Sequence, residues 1–143
     1  MCVFQIDVKY DKIDELVKEA TDWFNSPGII NKPKPIMDIK ADKLDPFWLD
    51  FIKEHKLGTK IWGVRYHCMR PGTSSPAGHL HAKARGVFYI QAPEGVGDIM
   101  FPDLGIKIKP HKGLFVFVPP VVNHAMSENK SSQNRLIMAF YIE

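Results

Sequence analysis

A chain of 143 residues is the size of one ordinary domain, and 45% hydrophobic against 24% charged residues supplies a sizeable core, which excludes a disordered chain. A net charge of +3, with no run of five like charges, gives no reason to expect nucleic acid. Cys2 and Cys68 form no disulfide framework, residues 1–8 lack a signal-peptide pattern, and no apolar stretch approaches the ~18 residues of a membrane span; the expectation is one soluble, cytoplasmic domain without a membrane partner.

The first 58 residues read as largely helical. Asp11 is placed to cap a helix, and Ile13, Leu16, Val17, Ala20 and Phe24 follow at three- and four-residue steps. Asn25-Ser26-Pro27-Gly28 stops it, and residues 29–43, with three prolines, read as irregular or extended. Asp45 is the N-cap of a second helix, with Pro46 at its first position, Phe47, Trp48, Phe51 and Ile52 on its buried side and Leu57-Gly58 at its end.

From Lys60 the texture changes to short runs of Val, Ile, Phe and Tyr separated by Gly, Pro, Asn and Asp. The runs predict strands at 61–69, 79–82, 86–91, 98–101, 106–109, 114–118 and 135–142, with a polar break at 127–134. This is mainly β: a double-stranded β-helix, or jelly roll, over 60–143, with the two N-terminal helices packed outside one sheet. Lys107, Lys109, His111 and Lys112, the densest basic stretch, read as a solvated strand face.

Three of the six histidines draw attention. His79-Leu80-His81 is an H-x-H step on a predicted strand, where residues two apart share a face and lie roughly 7 Å apart. Two imidazoles so placed can converge on one ion, and the late His124 can join them if its strand lies beside theirs. Three such ligands leave positions open for other groups, as in facial non-haem iron sites. His55 and His111 read as surface residues, and His67, in a strand one step from Tyr66, is set aside as a ligand but left open as a pocket-lining residue.

Arg135 heads the final strand, on one face with Ile137, Ala139 and Tyr141. A cation there needs a partner, because an unpaired buried charge costs several kcal/mol, of order. Either a dicarboxylate gripped by two parallel hydrogen bonds or a rim acid such as Glu128 or Glu143 would serve.

These pieces together resemble the 2-oxoglutarate–Fe(II) oxygenase family. The shared features are Trp62; His79 and His81; Gly86-Val87-Phe88-Tyr89; Ala92-Pro93-Glu94-Gly95-Val96-Gly97; Gly113-Leu114-Phe115-Val116-Phe117-Val118-Pro119; His124; and the Arg135-led strand. The resemblance implies that His79, His81 and His124 hold Fe(II) and that Arg135 binds the distal carboxylate of 2-oxoglutarate. Tyr89, with Tyr66 or Trp62, would line the pocket, O₂ would be the oxidant, and a small molecule or side chain would be the substrate. Two residues depart from the family pattern: His81 stands where Asp or Glu is usual, and Arg85 where a small Ser precedes the Gly.

Two rival readings remain. A cupin-like three-histidine metalloenzyme would add a Glu just past the H-x-H and a Pro-x-Gly close to the last His; here Lys83 and Arg85 occupy the first place, and Gly113 lies eleven residues before His124. A non-catalytic binding module is the other. Nothing in the sequence names a substrate or sets an oligomeric state.

Overall fold

The computed structural model describes residues 2–79 and 81–143, and of residues 41 and 76–79 the backbone alone. Ten strands form two antiparallel sheets. In chain order they are β1 (Phe4–Asp7), β2 (Ile36–Ile39), β3 (Ile61–Met69), β4 (Ser75–His79), β5 (Ala84–Gln91), β6 (Ile99–Phe101), β7 (Ile106–Ile108), β8 (Leu114–Val118), β9 (His124–Met126) and β10 (Arg135–Ile142). The larger sheet runs β1-β8-β5-β10-β3-β2 and the smaller β4-β9-β6-β7. Helices α1 (Ile13–Phe24) and α2 (Pro46–Glu54) precede β3, as the sequence predicts, but β1 and β2 flank α1 and complete the larger sheet.

Alternation along the strands of the larger sheet divides the interior in two. One face presents Tyr66, Phe88, Phe115 and Phe140 to Ala20 and Phe24 of α1 and Trp48, Phe51 and Ile52 of α2. The Trp48 ring lies 4.6 Å from that of Phe88 and 4.9 Å from that of Phe140, a range in which aromatic pairs attract beyond their area burial. The other face presents Val87, Tyr89, Val116, Ile137 and Ala139 to Ile99, Phe101 and Ile108 of the smaller sheet. The helices thus pack outside the double sheet, and the second core lies within it.

The α2 start follows its sequence: the Asp45 carboxylate accepts from the Phe47 N–H at 3.0 Å, with Pro46 at the first position. At α1 the expected cap is corrected. Lys12, not Asp11, is the N-cap residue and no side chain caps the helix, because the chain enters through a turn closed by Ile13 N–H donating to Tyr10 C=O at 3.1 Å. Among the described residues β1, β2 and β9 are strands that the sequence does not announce. Each has only three or four residues, and β1 and β2 are edge strands, where prolines such as Pro33 and Pro35 are tolerated just outside the ladder.

The basic stretch near β7 is a solvated face. Lys107, Lys109 and Lys112 are exposed, and Lys109 and Lys112 pair with Glu94 and Asp14. Among the described residues no helix is long and apolar enough to cross a membrane.

Candidate metal and co-substrate site

The two histidine segments meet where the smaller sheet folds over the larger. The β4–β9 ladder places His79 directly opposite His124. The predicted strand over 79–82 is corrected: β4 covers 75–79, Leu80 lies outside the described residues, and His81 stands just past the strand. Its backbone is held from across the opening instead, where the Val121 N–H donates to the His81 carbonyl at 2.8 Å. Val121 adopts φ 55°, a left-handed conformation that a β-branched residue seldom enters, so this clamp holds a strained loop immediately before His124.

The His81 and His124 rings lie 5.5 Å apart, centroid to centroid, tilted by 34°. His124 is 4% exposed and also meets the ring of Phe101. Two imidazoles at this separation can turn one nitrogen each toward a common ion at about 2.0–2.1 Å. The side chain of His79 lies outside the described residues, and among the described residues no group of three His, Cys, Asp or Glu side chains is assembled around one point.

From His124 a cavity of about 270 Å³ runs between the sheets, walled by His67, Arg85, Val87, Arg135 and Ile137. Arg135 is 3% exposed. Its Nη1 donates to the thioether of Met126 at 2.8 Å, a weak acceptor, and its guanidinium lies 5.9 Å from the Tyr89 ring centre. Its Nε is buried without a partner, and burial lowers its pKa. Neither rim acid answers it. Among the described residues no carboxylate pairs with Arg135, and Glu143 is engaged by Lys83. A cation in this position fits a ligand carboxylate, because burying it unpaired costs several kcal/mol, of order.

Strand alternation sorts the other candidates. Tyr89 shares the inner face with Arg135; burial pushes its phenol up, and the Arg135 charge pulls the other way. Tyr66 does not line the cavity. It points to the helices, where its hydroxyl donates to Glu19 at 3.3 Å, and burial raises its pKa. The cavity wall at that point is His67, which the sequence reading set aside only as a ligand. Its neighbours Tyr66 and Cys68 both face the helical core, so the period of two places His67 on the cavity side. Burial pushes the Cys68 thiol up to about 11, as for a thiol in apolar surroundings.

Fold and cavity define an antiparallel jelly roll with His67, His124, Arg85 and Arg135 on the wall of a cavity between its sheets. This is the fold of the 2-oxoglutarate oxygenases. It superposes on a viral collagen prolyl hydroxylase from Paramecium Bursaria Chlorella virus-1, solved as its 2OG complex, with a TM-score of 0.72 and 22% identity over 97% of this chain and 94% of that one. A Pseudomonas putida prolyl-4-hydroxylase follows at 0.71 and 17%, over 99% and 92%. HygX from Streptomyces hygroscopicus, with nickel and 2-oxoglutarate bound, follows at 0.66 and 8%, over 96% and 80%. No protein-family model matches the chain, and no curated protein matches it in sequence. At these identities the likeness establishes the fold.

Proposed function

We propose that the protein is a 2-oxoglutarate- and Fe(II)-dependent oxygenase, a non-haem iron dioxygenase that hydroxylates a small molecule or a side chain. The observation that carries this reading is Arg135: a guanidinium buried to 3% exposure, without an acid partner among the described residues, in the same cavity as His124. The sequence resemblance and the solved complexes of like fold, one with 2OG and one with nickel and 2-oxoglutarate, support it.

His79, His81 and His124 would hold the metal. His81 and His124 already approach each other, and the ladder brings the His79 backbone opposite His124. Bound Fe(II), with 2-oxoglutarate and O₂, supplies the oxidant that inserts oxygen into a C–H bond. Arg135 would bind the distal carboxylate of 2-oxoglutarate, with Tyr89 beside its guanidinium. Val87 and Ile137 form apolar cavity walls that exclude water.

The test is succinate release from 2-oxoglutarate under Fe(II) and air, together with quenching of tryptophan fluorescence by 2-oxoglutarate. Turnover and a saturable quench are expected; neither with a broad pool of substrates would overturn the reading. One residue favours a second reading. His81 gives a wholly neutral ligand set, as in three-histidine metalloenzymes that use no 2-oxoglutarate. Activity that survives without 2-oxoglutarate would select it.

A further inference from the structure

Arg85 is a second guanidinium in the cavity, and among the described residues no acid answers it. It sits on the inner face of β5, opposite Tyr141 of β10 and Val118 of β8. Its neighbours' charges are matched: Arg65 pairs with Asp38 at 2.7 Å, and Lys83 with Glu143. Among the described residues Arg85 has no carboxylate. Its Nη1 contacts His81 Nε2 at 2.7 Å, its Nη2 reaches the Tyr141 hydroxyl at 3.3 Å, and its Nε is buried without a partner. The guanidinium lies 4.5 Å from the Tyr141 ring centre, and the ring of Trp62, 48% exposed, meets that of Tyr141 at 4.8 Å, tilted by 41°.

Two unmatched guanidiniums in one cavity call for two anionic groups. The co-substrate accounts for the one on Arg135. We propose that Arg85 receives a carboxylate or phosphate of the primary substrate, beside the aromatic surface of Tyr141 and Trp62, and thereby restricts the enzyme to acidic substrates. This rests on the oxygenase reading above, which assigns Arg135 to 2-oxoglutarate. The contact with His81 gives the assignment a second consequence. Arginine only donates, so the Nε2 lone pair of His81 is the acceptor and is engaged by Arg85. A metal that uses this nitrogen needs the guanidinium to turn away, and a substrate anion offers it a stronger acceptor.

The experiment is calorimetric titration of the full chain, loaded with Ni(II) and saturated with 2-oxoglutarate, by benzoate, phenyl phosphate and uncharged benzamide. Saturable binding of at least one anion and none of benzamide is expected, and the preferred anion tells carboxylate from phosphate. Arg85→Gln should weaken that anion about tenfold or more, the scale of a hydrogen bond to a charged group. Arg85→Lys, which keeps the charge, should stay within a few-fold. Ni(II) affinity of the wild type, measured without 2-oxoglutarate, should rise on adding the anion.

Equal anion affinity in Arg85→Gln, benzamide binding as well as benzoate, or 2-oxoglutarate affinity falling in Arg85→Gln while the anion's does not would each overturn the proposal. A wild type that takes benzoate through Arg85 but no 2-oxoglutarate fails the oxygenase reading and supports the anion site; one that takes neither overturns both.

Discussion

Facing the helices, strands β3, β5 and β10 present Tyr66, Phe88 and Phe140; facing the smaller sheet, the same strands present His67, Arg85 and Arg135. The first face is packed ring against ring around Trp48. The second is apolar at its centre but holds two guanidiniums for which no acid is found among the described residues. One sheet therefore carries stability on one side and leaves electrostatic demand unmet on the other. A ligand that satisfies the demand recovers the cost of burying it.

The sharpest test of that division is to cut each face in turn. Trp48→Ala opens a void among Tyr10, Phe88 and Phe140 and should cost about 3–5 kcal/mol in urea unfolding, with 2-oxoglutarate binding retained below the melting point. Arg135→Met, on the opposite face, should go the other way. Replacing a buried charge without an acid partner by an apolar side chain should leave stability unchanged or raise it by about 1–4 kcal/mol. It should also abolish the rise in Tm that 2-oxoglutarate gives the wild type. Loss of stability in Arg135→Met would break the comparison.

Smaller effects sharpen it. Asp45→Ala removes the α2 cap and should cost about 1 kcal/mol at pH 7. The Phe47 N–H, then the Tyr10 hydroxyl, hold the Asp45 carboxyl below its ordinary value. A depressed carboxyl stabilises above its unfolded pKa of ~3.9 and loses that contribution as pH falls through the folded value. The gap between wild type and Asp45→Ala should therefore close in acid. Tyr66→Phe should cost about 0.5–1 kcal/mol for its bond to Glu19 and leave 2-oxoglutarate affinity unchanged, as a residue outside the cavity must.

Apolar periodicity located α1, the Asp45-Pro46 start located α2, and apolar runs between turn residues located β3, β5, β8 and β10. The runs at 98–101 and 106–109 also match β6 and β7, whereas β1, β2 and β9 escaped. β9 has three residues and is recognisable through its ladders to β4 and β6. The polar stretch 127–134 reads as a break but hides a built turn. Asn129, fully buried, donates to the carbonyls of Met69 and Gln133 and accepts from Ser131, which ties β3 to the start of β10 and so sets the position of Arg135. Close approach of the 127–128 backbone also explains Gly97, at φ +95°, where any Cβ would collide with the Ser127 carbonyl. Such long-range contacts leave no periodic trace. His124 and Arg135 stand out in the sequence because polar groups of their kind are costly to bury, and both are buried on the cavity wall, whereas placing Tyr66 and His67 requires knowing which face of β3 meets the helices.

The central claim is that His79, His81 and His124 bind one ion. Titration of the full chain with Co(II), followed by its visible absorption, measures this directly. The account predicts one ion per chain, and affinity lower by about 100-fold or more in each of His79→Ala, His81→Ala and His124→Ala, beyond what loss of a merely supporting residue costs. Unaltered Co(II) binding in His124→Ala would contradict it.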